Sequence, residues 1–257
     1  MLWALRGLPF LPASWPGLLA LTALCACDMQ PAETLDRPRV LALKTEPAVL
    51  APGEVHVLTA LTFEVPGELE WSLCAVAWSP TEPLSCPTGA IPLGRGNPLS
   101  VTLPADLTSG WLEVAPVADG SAPASLALPA VKRLDAAAIA TNPEPRGLVS
   151  ATGPMPTNLA NGDTIDLMVD LGDVPTPTAE RLVVSWYTTA GALDPGRTLA
   201  TETATLEAPG RSPEGLPSAP TDTRALRVIA VVRDAGGGTG WTEATLSIGA
   251  TSDTDAP

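Results

Sequence analysis

The 257-residue sequence has few of the side chains that carry out acid–base and nucleophilic catalysis. It contains one histidine and one tyrosine, and Lys44 and Lys132 are its only lysines. The sequence has no Gly-x-Ser-x-Gly elbow, glycine-rich phosphate loop or His-Glu-x-x-His motif. It therefore predicts a protein that is not an enzyme.

The single histidine, His56, lies between Val55 and Val57 in a segment where apolar residues recur every second position. In a strand, alternate side chains point to opposite faces, so we expect Val55, Val57, Leu61 and Phe63 to share the buried face. His56 is then a surface or rim residue rather than a general base.

Positive charge is also scarce. Acidic residues number 28 against 14 basic ones, which gives a formal net charge of −14. Such a surface repels phosphate backbones, so nucleic acid is not an expected partner.

No apolar run is long enough for a permanent membrane span. Prolines interrupt the N-terminal region until Gly17, and the apolar core from Gly17 to Leu24 covers about 12 Å as a helix against the roughly 30 Å of a bilayer core. Arg6, this apolar core and the small residues after it have the layout of a signal peptide.

The segment Leu24-Cys25-Ala26-Cys27 resembles the lipobox of bacterial lipoproteins. The resemblance implies removal of residues 1–26, acylation of Cys27 (palmitate among the chains), a tether over 27–36, and anchoring in a Gram-negative cell envelope. The outer membrane and the periplasmic face of the inner membrane both remain open. Cys25 is a rival acceptor, but a bulky leucine precedes it. The competing interpretation is an ordinary secretory signal without lipid.

Two cysteines, Cys74 and Cys86, remain after the signal region. An even pair in an exported chain predicts a disulfide, worth about 3 kcal/mol for a loop of this length. Two free thiols are the alternative.

From Arg39 onward the sequence alternates with period two, and turn residues recur every eight to twelve positions, which is typical of β-sandwiches. A proline-rich stretch near Asn142 interrupts this pattern. We therefore predict an all-β chain of two tandem antiparallel sandwiches, residues 37–141 and 142–250, followed by a disordered tail, 251–257.

Each half places one tryptophan, Trp71 or Trp186, on the strand after an apolar strand. This arrangement resembles the tryptophan-centred core of immunoglobulin-like domains. In the second half, Val228–Asp234 followed by three glycines is similar to a polycystic-kidney-disease-type (PKD) repeat. The resemblance implies buried Trp71 and Trp186. Because Cys74 and Cys86 are only twelve residues apart, they differ from the usual cross-sheet pair and are expected to pin a loop.

Asp163, Asp166 and Asp234 are candidate ligands of Ca²⁺, the one cofactor considered; their alternative role is as solvated or turn carboxylates. Trp111 and Trp241 each follow a glycine at the start of a strand. They form either an exposed pair that stacks on a sugar or ordinary packing near an end of the core.

These features predict a non-catalytic, lipid-anchored envelope protein that acts in adhesion or complex assembly. Its expected partners are the membrane, through the lipid, and other envelope proteins or a surface glycan. The alternative is a glycan- or small-ligand-binding subunit of an envelope complex.

Overall fold

The computed structural model describes residues 34–49, 51–76, 86, 89–117, 130–135, 140–210 and 224–249. The predicted signal peptide, Cys27, most of the tether and the tail 251–257 lie outside these residues. All of the described residues belong to one compact unit. Within the described residues, no helix combines the length and apolar character that a membrane span requires.

The described residues of the first half form seven antiparallel strands in two sheets, ordered β1-β2-β5 and β4-β3-β6-β7. The strands are β1 (Arg39–Glu46), β2 (Val55–Phe63), β3 (Leu69–Cys74), β4 (Ile91–Arg95), β5 (Leu99–Thr102), β6 (Ser109–Pro116) and β7 (Ala130–Asp135).

In the part of the second half that the structure describes, the strands form two five-stranded sheets, ordered β10-β17-β16-β12-β14 and β13-β15-β11-β8-β9. Its elements are β8 (Gly147–Ser150), β9 (Gly153–Pro154), β10 (Asn158–Ala160), β11 (Thr164–Asp170), α1 (Thr176–Ala179), β12 (Val183–Thr188), β13 (Ala192–Asp194), β14 (Arg197–Leu199), β15 (Ala204–Glu207), β16 (Arg224–Arg233) and β17 (Thr239–Gly249). One pair departs from the predicted antiparallel scheme, because β10 runs parallel to β17.

The predicted all-β class and the two sandwiches are confirmed. Each sandwich encloses an apolar cluster centred on one tryptophan, and Trp71 and Trp186 are both fully buried. Each indole N–H also has an acceptor: Trp71 Nε1 donates to the carbonyl of Gly96 at 2.8 Å, and Trp186 Nε1 donates to Thr198 Oγ1 at 2.9 Å. These bonds remove the cost of burying an unpaired donor.

The predicted inward face of β2 is wrong. His56 is 0% exposed and shares the core face with Leu58 and Ala60, whereas Val55 is 60% exposed. The odd-numbered residues Leu61 and Phe63 are apolar for another reason, since they pack against the second sandwich. An alternating strand with apolar residues on both faces does not reveal which face covers its own core.

The two sandwiches pack through their sheet faces. A third apolar cluster, which we call the seam, lies between sheet β1-β2-β5 and the sheet that contains β12, β16 and β17. Its members are Leu35, Leu41, Ala42, Leu61, Phe63, Tyr187, Ile229, Val231 and Trp241. The four sheets are therefore stacked in layers. The division at Asn142 stays a prediction, because contacts join both halves into one unit.

Candidate functional site

The seam is the feature that distinguishes this molecule from two independent sandwiches. Its first side depends on an irregularity in β1, where the pairing with β2 shifts between Val40 and Ala42. The extra residue at such a bulge places two neighbours on one face. Leu41 and Ala42 consequently both belong to the seam, whereas Val40 and Leu43 pack against the core of the first sandwich.

The second side of the seam is built on β16. Alternate side chains of this strand lie on opposite faces. The core of the second sandwich contains Val228, Ala230 and Val232, and the seam contains Ile229 and Val231. All five side chains are fully buried. A strand covered on both faces has a continuous apolar sequence rather than an alternating one, which is what this segment shows.

Arginines bridge the two sides of the seam. Arg233, at the end of β16, donates from Nη2 to the carbonyl of Leu41 at 3.1 Å and from Nη1 to Ser185 Oγ at 3.0 Å. Arg39 of β1 lies over the ring of Tyr187, with 5.8 Å between its guanidinium carbon and the ring centre. Each arginine thus joins one sandwich to the other by a polar contact at an apolar surface.

The described residues 140–146, which lead into β8 and which we call the connection, are also hydrogen-bonded to both sandwiches. Asn142 Nδ2 donates to the carbonyl of Thr45 at 2.8 Å, and Asn142 Oδ1 accepts from the backbone N–H of Thr239 at 3.0 Å. Asp234 accepts from the backbone N–H groups of Thr141 at 2.9 Å and Gly238 at 2.6 Å. Thr141 and Asn142, among the described residues of the connection, are therefore held by hydrogen bonds to the sandwiches.

Two glycines of β17 and its preceding turn make room for this connection. A Cβ added at Gly238 would overlap the carbonyl group of Thr141, and one at Gly240 would overlap that of Pro143. Gly238 and Gly240 therefore have a steric role that the family resemblance alone does not explain.

Lys132 adds a buried charge beside the seam. Its side chain, 8% exposed, reaches from β7 to the carbonyl of Gly237 and lies 3.5 Å from Thr239 Oγ1. Burial lowers the pKa of Lys132 to about 8; the Asp234 carboxylate opposes this shift, and Arg233 adds to it.

The disulfide between Cys74 and Cys86 is confirmed, with 5.7 Å between the Cα atoms. It joins the end of β3 to Cys86, which precedes β4 along the chain. Most residues between the two cysteines lie outside the described part of the chain, so the pinned loop stays a prediction. Cys27, the predicted lipidation site, lies outside the described residues.

The three aspartates proposed as calcium ligands have separate roles. Asp163 accepts from the N–H of Ala160 at 2.8 Å, Asp166 accepts from Thr205 Oγ1 at 2.7 Å, and Asp234 fastens the connection. Among the described residues, no group of three histidine, cysteine or acidic side chains could hold a metal ion. Calcium binding through these residues stays a prediction.

Of the two alternatives for Trp111 and Trp241, an exposed pair or ordinary packing, the burial of both side chains favours packing. Trp111 is 5% exposed, and Trp241 is half-buried against the seam. Trp111 follows Gly110, whose Cβ would meet the carbonyl of Cys74 at 2.5 Å, so the glycine reflects a close backbone approach instead of an open platform. Participation of either indole in binding stays a prediction.

His56 has no acid–base partner in the described part of the chain. Its Nε2 lies 3.2 Å from both the N–H and the carbonyl of Ala51, while its buried Nδ1 has no hydrogen-bond partner. The expectation of a surface or rim histidine is wrong, because this ring fills space in the first sandwich.

Sequence reasoning missed the seam, although one signal for it was available. The unbroken apolar run Val228–Val232 predicts a strand buried on both faces, and a strand in a two-layer sandwich has only one core to face. No sequence motif predicts the contacts that Asn142, Lys132 and Arg233 make between the two halves, because these contacts join residues more than 90 positions apart.

No protein-family model and no curated protein matches this sequence. Solved structures that resemble it include fibronectin(III)-like modules of Clostridium thermocellum CbhA, at 10% identity and a TM-score of 0.26, covering 81% of this chain and 94% of that one. The chicken CNTN1 FN1–FN3 domains match at 11% identity and a TM-score of 0.25, and the match covers 82% of this chain and 66% of that one. Bacteroides ovatus SGBP-B in complex with a mixed-linkage heptasaccharide matches at 12% identity and a TM-score of 0.23, and the match covers 83% of this chain and 47% of that one. TM-scores this low carry no argument about function, and the fold assignment rests on the sheets described above.

Proposed function

We propose that this chain is a non-catalytic, lipid-anchored protein of the bacterial cell envelope that presents a rigid binding surface for adhesion or complex assembly. The observation that carries the proposal is the seam, which joins two immunoglobulin-like sandwiches face to face. A fixed body holds its loops and sheet edges in constant positions, and partner binding by such modules depends on those parts.

The lipid anchor is supported by the lipobox-like sequence that ends at Cys27. Six residues separate Cys27 from Thr34, so the seven Cα–Cα steps between them span at most about 25 Å when extended. A multiply acylated cysteine binds a membrane stably, whereas a single acyl chain binds only marginally. The proposal therefore places the body close to a membrane surface.

Radiolabelled palmitate tests the anchor directly. Cells that express the full chain should incorporate label, and Cys27→Ser should abolish incorporation. Cys25→Ser is the matched control and should retain label. Equal labelling of wild type and Cys27→Ser, or no labelling of either, contradicts the anchor.

Partner capture tests the assembly role. Crosslinking of intact cells followed by purification of the full chain should recover defined envelope proteins. Leu35→Asp, which puts a carboxylate into the seam, should lose them because it loosens the fixed arrangement of the two sandwiches. Recovery of no protein partner, together with specific binding on a glycan array, contradicts this role and favours the ligand-binding alternative.

A further inference from the structure

The chain just before β1 crosses from the first sandwich to the second. The backbone N–H of Leu35 donates to the carbonyl of Thr188, at the end of β12, with a distance of 2.7 Å. Thr34 and Thr188 form an isolated parallel bridge. We call residues Thr34–Pro38 the strap, because they are attached to a sandwich other than the one they lead into.

The strap is part of the seam's apolar packing. Leu35 is 3% exposed and belongs to the same cluster as Phe63 of β2 and Ile229 of β16. Burying a leucine side chain contributes roughly 1.5–3 kcal/mol. Leu35 therefore seals the seam with a side chain that neither pair of sheets supplies.

One charged side chain connects the strap to both sandwiches. Arg39, the first residue of β1, donates from Nη2 to the carbonyl of Thr34 at 2.6 Å and lies over the Tyr187 ring. Its buried Nε has no partner. The Arg39 guanidinium therefore contacts the strap through Thr34 and β12 through Tyr187, and it loses one of these contacts if either segment moves away.

We propose that the strap is a mechanical lock, and that tension on the chain ahead of Thr34 withdraws Leu35 and loosens the docking of the two sandwiches. The strap has one leucine, one backbone bridge and one arginine contact to hold it, whereas each sandwich has a complete core. It is also the first of these described contacts that tension from the N-terminal side would load, so we expect it to yield before either core. The source of that tension rests on the anchor proposed above.

Single-molecule pulling tests the lock. The full chain, with Cys25 replaced by serine, is held by the Cys27 thiol and by its C-terminus. We expect an early extension on the order of 10 Å before either sandwich unfolds, since five residues are freed. Leu35→Asp should abolish this early step, and Leu35→Ala should lower its force. Val55→Asp is the matched control at an exposed strand position and should leave the step unchanged.

Two outcomes overturn the lock. One is that the sandwiches unfold with no earlier step in the wild-type chain. The other is that Leu35→Asp, with both sandwiches still folded by tryptophan fluorescence, keeps the wild-type step. Because the thiol handle replaces the lipid, these results do not depend on acylation, and failure of the palmitate experiment is a separate result.

Discussion

Lys132 places one titratable charge at the contact between the two sandwiches. Its ammonium group is almost removed from water, and its hydrogen bonds go to the second sandwich. Burial of a charge costs free energy, so the amine loses its proton more readily in the folded protein, with a pKa of about 8. The charged groups that act on it are Asp234 and Arg233 of the second sandwich.

We predict that the stability of the protein rises with pH because of Lys132. Between about pH 8 and its ordinary pKa of 10.5, the unfolded chain binds more protons than the folded one, so the free energy of unfolding increases by about 3 kcal/mol over that interval. Urea unfolding at several pH values from 7 to 10.5 measures this rise. Lys132→Met should remove it, and Lys44→Met, at the only other lysine, should retain it. Parallel pH profiles for wild type and Lys132→Met contradict the prediction.

We also predict that Gly238→Ala destabilises the protein by about 1–3 kcal/mol, because the added methyl group overlaps the carbonyl of Thr141 and the connection must shift. Gly147→Ala is the control, since a Cβ there meets nothing within 4 Å. Urea denaturation of the two variants measures the difference. Equal stability of the variants would show that the connection is not held against β17.

Single residues were predictable from sequence when their role depends on local pattern or covalent chemistry. Trp71, Trp186 and the disulfide of Cys74 with Cys86 belong to that group. His56 was misplaced because its environment is set by a sheet face that the sequence pattern leaves ambiguous. Lys132 carried no sequence signal, since its surroundings come from residues more than a hundred positions away.

Strands β2 and β16 differ in what covers their second face. In β2, the seam covers the end near Phe63, whereas Val55 at the other end is exposed. In β16, the seam lies over Ile229 and Val231 in the middle of the strand. The strands themselves were predictable from period two and turn residues. Which face of each strand is buried in its own core was not predictable. Apolar side chains lie on both faces, because one face packs in the core of its own sandwich and the other packs against the second sandwich.

We predict that Ile229→Ala, on the seam side of β16, costs about 2–5 kcal/mol, as expected for a fully buried isoleucine. Ile91→Ala on β4 is the matched control; that side chain is 42% exposed and should cost less than about 1 kcal/mol. Guanidinium unfolding followed by tryptophan fluorescence measures both. A loss at Ile229 no larger than at Ile91 would mean that the seam leaves β16 exposed.

At the scale of the whole molecule, the seam turns two sandwiches into one stacked body. Four features join the halves: the apolar packing of the seam, the contacts of Arg39 and Arg233, the hydrogen-bonded connection, and the strap. The all-β class and the presence of two sandwiches followed from the sequence. Their face-to-face docking did not, because the expected tandem arrangement treats each core as separate and gives no reason for a third cluster.

The distance between the two sandwiches in solution tests the central claim most directly. Spin labels at Ile91→Cys and Leu199→Cys, in a chain with Cys25 and Cys27 replaced by serine, place one probe on an exposed position of each sandwich. Pulsed electron paramagnetic resonance should give a single narrow distance distribution that broadens in Leu35→Asp. A broad distribution in the otherwise unaltered chain, as two sandwiches on a flexible linker produce, would contradict the account.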